Sequence, residues 1–321
     1  MSDTATEAKR SRRSAPKVVR RLSLILALLY ILPLVGLGLF QRFLVFNAQA
    51  SRIRTAEFGT QVPPGAHAVR LQTAAGDSVV AYFGHALSAD GRPDSDYARR
   101  PTLLFFTGKG SAIAPERGLF QSLRRLDVNV LMPDYVGFGQ SGGQESETGC
   151  FATARASYTF LRAQPDLDQK RLVIAGYSLG SGVAVDLAAH ELGAKQPVAG
   201  LALFAAYTSM ADMGHQEYPI YPAWLLRLIL RYPFASDAKM SQITCPVLLV
   251  HSRADKLIPY AMSDRLTALA SGSVTRLTIT HAGHAEYFSP RETVVLPALK
   301  RFLESPGLER PGWKFTKALR A

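Results

Sequence analysis

The sequence has only two cysteines, Cys150 and Cys245, in 321 residues. That number and spacing exclude a disulfide framework and a cysteine metal site, so both are read as ordinary buried thiols. No internal repeat at solenoid spacing is present, which excludes a repeat architecture. Charge is scarce as well, at 19% of residues against 47% hydrophobic. That balance excludes disorder beyond the ends and points to a large buried core, one catalytic-sized domain with appendages. The longest absence is local: the nineteen residues from Leu22 to Phe40 contain no charge at all, and only Ser23 and Tyr30 are mildly polar.

As a helix that run measures about 28 Å, the thickness of a bilayer core. It is expected to be a transmembrane anchor, with Pro33, Gly36 and Gly38 tolerated because a bilayer offers the backbone few alternatives to helical hydrogen bonds. Lys9, Arg10, Arg12, Arg13, Lys17, Arg20 and Arg21 precede it, and Arg42, Arg52 and Arg54 follow. By the positive-inside rule, residues 1–21 are then cytoplasmic and the rest of the chain lies on the periplasmic or other extracytoplasmic side. Ala48, Gln49 and Ala50 form a small-x-small site just beyond the run, so a cleaved signal peptide is the rival reading. The length of the run favours an uncleaved anchor.

The net charge of +12 does not point to nucleic acid once it is located. Seven cations against Asp3 and Glu7 put +5 on residues 1–21. Arg310, Lys314, Lys317 and Arg320 against Glu309 put +3 on the tail 306–321, which leaves only +4 for the body. Basic ends around an apolar helix fit an anionic membrane surface.

Beyond the anchor, β-rich runs alternate with helical ones. Strands are expected at Ala66–Thr73, Asp77–His85, Thr102–Thr107, Asn129–Pro133, Leu172–Ala175, Val198–Phe204, Pro246–His251 and Val274–Thr280. From Thr102 on they are nearly continuous apolar runs, which suits strands buried on both faces of a parallel sheet. Helices are expected at Glu116–Leu126, Thr148–Arg162, Leu179–Leu192, Tyr260–Ala270 and Arg291–Leu303, and Ser88–Arg100 reads as a surface loop. The fold class is α/β.

Gly176, Tyr177, Ser178, Leu179 and Gly180 form G-x-S-x-G, a weak signal alone. Its setting strengthens it: it ends the apolar run Leu172–Ala175 and opens a helix, the strand–turn–helix of a nucleophile elbow. A serine hydroxyl needs an imidazole base and a carboxylate to orient that base. Asp255 and His284 supply them in the chain order Ser, Asp, His, each in a loop after a strand. His281 competes with His284, and Glu286 and Asp264 compete with Asp255, less well placed in each case. An oxyanion would need backbone N–H donors, expected at Leu179 and, in the loop after Phe106, at Lys109. This chemistry calls for no metal and no dissociable cofactor.

Further motifs surround these. Asp134-Tyr-Val-Gly-Phe-Gly-Gln-Ser-Gly-Gly143 forms a D-Y-x-G-x-G-x-S-x-G turn, Tyr207-Thr-Ser-Met210 follows a strand, and Cys245-Pro-Val leads to Asp255 and Pro259. With the elbow, they make residues 42–303 resemble the membrane-anchored α/β-hydrolase-domain serine hydrolases, the group related to monoacylglycerol lipases and protein depalmitoylases. The resemblance implies an α/β-hydrolase fold of about eight mostly parallel strands, and a structural rather than catalytic Asp134. The chain departs from that family at Thr107-Gly-Lys109, where the usual loop begins His-Gly-Asn.

The expected organisation is therefore an anchor at 22–40, a hydrolase domain at 41–305 with a small cap at about 208–241, and the basic tail. Ester hydrolysis through a serine-bound acyl intermediate leads, with a carboxylic ester, thioester or acyl lipid as substrate. A peptidase or amidase uses the same residues, and a silent membrane-tethered binding protein is the reading from another class. Within Tyr218–Phe234, Trp224, Leu225, Leu226, Leu228, Ile229 and Leu230 suggest a cap helix, with Arg227 and Arg231 on one face, covering the core or meeting bilayer or acyl chain.

Overall fold

The computed structural model describes residues 3–191 and 198–305. The tail 306–321 and Leu192, the predicted end of a helix, lie outside them. The apolar run does not stand as a separate nineteen-residue unit. It is the middle of one helix, α1 (Asp3–Phe46), which turns at Asn47 (φ 48°) into α2 (Ala48–Phe58).

Two strands follow, β1 (Ala66–Gln72) and β2 (Ser78–Gly84), paired antiparallel. Then strands and helices alternate: β3 (Thr102–Phe106), α3 (Arg117–Arg124), β4 (Asn129–Pro133), α4 (Glu147–Arg162), β5 (Leu172–Tyr177), α5 (Leu179–His190) and β6 (Gly200–Phe204). Three cap helices come next, α6 (Met210–Glu217), α7 (Ala223–Ile229) and α8 (Asp237–Met240). The chain continues with β7 (Val247–Ser252), α9 (Tyr260–Leu269), β8 (Val274–Ile279) and α10 (Val295–Glu304). All eight predicted strands occur, in one sheet ordered β1-β2-β4-β3-β5-β6-β7-β8. From β4 to β8 neighbouring strands are parallel.

The continuous apolar runs are buried as their pattern required: every residue of β3, β4, β6 and β7 is buried. β8 is an edge strand and only half-buried, which explains its mixed sequence. Helix starts are locally encoded. Ser146 Oγ accepts from Gly149 N–H at 2.9 Å to cap α4, and Ser209 Oγ accepts from Asp212 N–H at 3.1 Å to cap α6.

Two expectations are corrected. α7 is shorter than the apolar pattern suggested: it begins after Pro222 and ends at Ile229, with Leu230 extended and Pro233 three residues further on. Arg231 therefore shares no helical face with Arg227. Instead, Arg227 pairs with Asp237 at 2.7 Å and Asp212 at 3.6 Å. The boundary between anchor and domain at Gln41 also dissolves, because α1 packs on the domain well before it. Tyr30, Leu34 and Leu37 pack with buried Ala211, Tyr221 and Leu226 of the cap, and Phe46 is fully buried in the main core. The small-x-small site, on which the rival signal-peptide reading rested, lies in a packed helix. Ser51 Oγ and Thr55 Oγ1 both hydrogen-bond back into α2, and Ala48 is buried.

Candidate active site

Ser178 sits between β5 and α5 with φ 53° and ψ −119°, a backbone conformation that side chains rarely adopt. Two close approaches hold it there. A Cβ on Gly176 would overlap the Gly180 carbonyl, and a Cβ on Gly180 would overlap the Phe106 carbonyl of β3. The two glycines thus let helix, turn and neighbouring strand pack closely enough to raise Ser178 above the carboxyl edge of the sheet.

Asp255 and His284 come from the loops after β7 and β8, and the sheet order makes β7 and β8 neighbours. Ser178 Oγ lies 2.9 Å from His284 Nε2, and His284 Nδ1 lies 2.8 Å from Asp255 Oδ2. The Asp255 side chain is fully buried. Burial works against its charge, but hydrogen bonds from His284 and from the Ile258 and Leu257 N–H groups outweigh it and hold the carboxyl below its ordinary value. The carboxylate is thus ionised and pointed at the imidazole at neutral pH.

The competing residues go elsewhere. The His281 side chain is 68% exposed and faces Glu292 at 3.4 Å. Glu286 accepts from Gly283 N–H, and Asp264 pairs with Arg276.

The loop after β3 brings Lys109 to the same cavity as Ser178. Phe46 at the end of α1 accepts from Gly110 N–H at 3.0 Å, and Tyr135 donates to the Thr107 carbonyl at 2.8 Å, so the loop is braced on both sides of Lys109. Among the described residues, neither the Lys109 nor the Leu179 N–H donates to another group of the chain. Burial lowers the pKa of the Lys109 ammonium. Asp134 accepts from the Ile113 and Gln140 N–H groups, and Gly139 N–H is held by Ser51 Oγ of α2, so this turn is a structural brace.

Sequence reasoning missed two tyrosines. Tyr287 donates to Asp255 Oδ2 at 3.2 Å and accepts from Ser252 N–H at 2.8 Å. Its signal was its place three residues after His284, where one turn of helix brings both to one side. Tyr177, inside the elbow motif, stacks on the His284 ring and donates to the His284 carbonyl.

From Ser178 and His284 a cavity of about 940 Å³ extends toward the cap and α1. Its walls include Leu37, Leu44 and Val45 of α1, Met210 and Met213 of α6, and Leu119 of α3. Arg54, Lys109 and Lys256 also border it, with Glu116 and Glu217.

An eight-stranded sheet with this elbow, and with loops after β7 and β8 converging on it, defines an α/β-hydrolase. Residues 101–232 match the family model described as alpha/beta hydrolase fold, and residues 230–314 match one described as TAP-like protein. The chain is 31% identical over 264 residues to the uncharacterized protein Rv2307c of Mycobacterium tuberculosis, covering 82% of this chain and 87% of that one. It is 27% identical over 235 residues to the lysophosphatidylserine lipase ABHD12 of Danio rerio, covering 70% of this chain and 60% of that one. Among solved structures, the Pyrococcus furiosus esterase Pf2001 superposes with a TM-score of 0.57 at 16% identity, over 78% of this chain and 94% of that one. This chain belongs to the α/β-hydrolase superfamily.

Proposed function

We propose that this chain is a serine hydrolase that cleaves carboxylic esters of acyl lipids through an acyl-enzyme on Ser178. The observation that carries the reading is the continuous contact from Ser178 Oγ through His284 to Asp255. His284 Nε2 takes the proton as Ser178 Oγ attacks the ester carbonyl, and Asp255 stabilises the resulting imidazolium. The carbonyl oxygen gains its charge beside the free N–H groups of Leu179 and Lys109, the backbone donors of an oxyanion hole. His284 then returns the proton to the leaving alcohol. His284 then takes a proton from water as the water attacks the acyl carbonyl, and returns that proton to Ser178 Oγ as the acid leaves.

The apolar walls of a 940 Å³ cavity favour an acyl chain over a peptide. The lipase named among the relatives supports the same substrate class. α1 is long and apolar enough to cross a membrane. We propose that it anchors the enzyme there with the basic N-terminus cytoplasmic and the hydrolase domain on the other side.

The test is covalent labelling by a fluorophosphonate probe, with Ser178→Ala as control, followed by rates on p-nitrophenyl esters of rising chain length. Labelling of the parent alone, with rates that rise with chain length, supports the reading. A folded parent that is not labelled overturns it in favour of a binding role.

A further inference from the structure

Tyr30 is the ninth of the nineteen residues from Leu22 to Phe40. In a helix that crosses a bilayer with that run, it lies near the midplane. From Lys17 to Leu29 every residue is exposed. From Tyr30 on, Tyr30, Leu34, Leu37 and Gln41 recur along one side of the helix and meet the cap. The Tyr221 hydroxyl donates to the Tyr30 carbonyl at 2.9 Å, and the two rings lie 4.9 Å apart. Gln41 Oε1 accepts from Arg231 N–H at 2.7 Å.

Only Leu22–Leu29 precede the first cap contact, about 12 Å of helix where a bilayer core needs about 30 Å. α1 therefore cannot span a bilayer while the cap stays in water. The outer side of the cap suits burial in lipid. No charged residue occurs from Tyr218 to Leu226, and Ile220, Trp224 and Leu228 are 66%, 65% and 78% exposed. Leu39, Phe40 and Phe43 of α1 are exposed toward the same end of the helix. The nearest cations fit this depth. Arg231 donates its backbone N–H to Gln41, where the apolar run ends beside Arg42, and the charge of Arg227 is paired with Asp237 and Asp212. Leu37, inside the spanning run, walls the same cavity as Ser178.

We propose that the cap is seated in the hydrocarbon of the leaflet farther from the basic N-terminus, and that acyl chains enter the pocket laterally from that leaflet, between α1 and the cap. The seating rests on α1 crossing a bilayer. The lateral filling rests also on the acyl-ester reading above.

Of the two tryptophans, Trp313→Phe leaves Trp224 alone. The full-length variant is reconstituted in phosphatidylcholine vesicles with or without brominated acyl chains. Bromolipid should quench Trp224 emission at least about twofold while aqueous iodide barely affects it. Quenching by iodide and not by bromolipid overturns the seating. In a second arm, Ile220→Ser with Leu228→Ser should slow hydrolysis of a long-chain ester dissolved in vesicles about tenfold, with probe labelling and short soluble esters unchanged. Equal slowing of both esters, or no slowing of either, overturns lateral entry. A parent that resists the probe overturns the hydrolase reading instead, and leaves the bromolipid result to decide the seating.

Discussion

The Tyr287 hydroxyl and the His284 imidazole donate to one and the same oxygen, Oδ2 of Asp255, at 3.2 and 2.8 Å. Ser252 N–H in turn donates to the Tyr287 oxygen, so the backbone at the end of β7 aims the hydroxyl at the carboxylate. Tyr287 thus fixes the carboxylate oxygen that faces the imidazole. Tyr287→Phe should lower kcat about three- to tenfold with KM unchanged, the scale of one hydrogen bond between positioned groups. Asp255→Asn should lower kcat far more, by about 10²–10⁴. Steady-state kinetics on a short ester compares them, and equal losses would mean that Tyr287 does more than position.

Lys109 separates a backbone role from a side-chain one. Its N–H is free beside Ser178, while its side chain borders the cavity without an ion-pair partner among the described residues. Lys109→Ala keeps the N–H and should leave kcat/KM for a short neutral ester within about threefold. Lys109→Pro removes it and should lower kcat by about 10²–10³, the loss expected for one oxyanion donor. Thermal melts of both variants separate lost chemistry from lost folding. A large loss in Lys109→Ala would assign the ammonium a direct part instead.

Glu147 makes stability depend on pH. It accepts from Phe234 N–H at 2.9 Å, and burial pushes its carboxyl up to about 7 from an ordinary 4.5. Burial likewise pushes Asp134 up to about 6. Between the ordinary and raised values the folded chain holds protons that the unfolded chain has released, so these groups make stability fall as pH rises through that window. Glu147→Gln stays neutral and can still accept from Phe234. Its Tm should exceed the parent's by a few degrees at pH 8 and match it at pH 5. A gap that opens at pH 5 and closes at pH 8 contradicts the assigned sign.

Phe46 shows how far α1 belongs to the domain. It is fully buried, with ring contacts to Phe138, Tyr232 and Phe234. Phe46→Ala should destabilise the fold by about 3–5 kcal/mol, whereas Leu26→Ala, on the exposed part of the helix, should change little. Urea denaturation of detergent-solubilised protein measures both, and similar small effects would mean that α1 is only a tether.

The strands were legible because each is a short apolar run between turn residues, and such runs depend on near neighbours in the chain. Ser178, Asp255 and His284 were legible for a related reason, since each follows the end of such a run. The limit of local pattern shows in α7, where Leu230 looked helical but continues extended toward Pro233. It shows also at the two histidines: His281 and His284 share one loop, and only its three-dimensional course sets one against Ser178 and the other against Glu292.

By itself, then, the amino-acid sequence determined the α/β fold class, the elbow at Ser178 and the apolar helix, because hydrophobic period, glycine spacing and charge placement act over a few residues. Tertiary structure alone decided that Tyr287 braces Asp255 and that Tyr30 meets Tyr221 across 191 residues of chain. Those contacts arise from how packed layers meet in space, which no local period encodes.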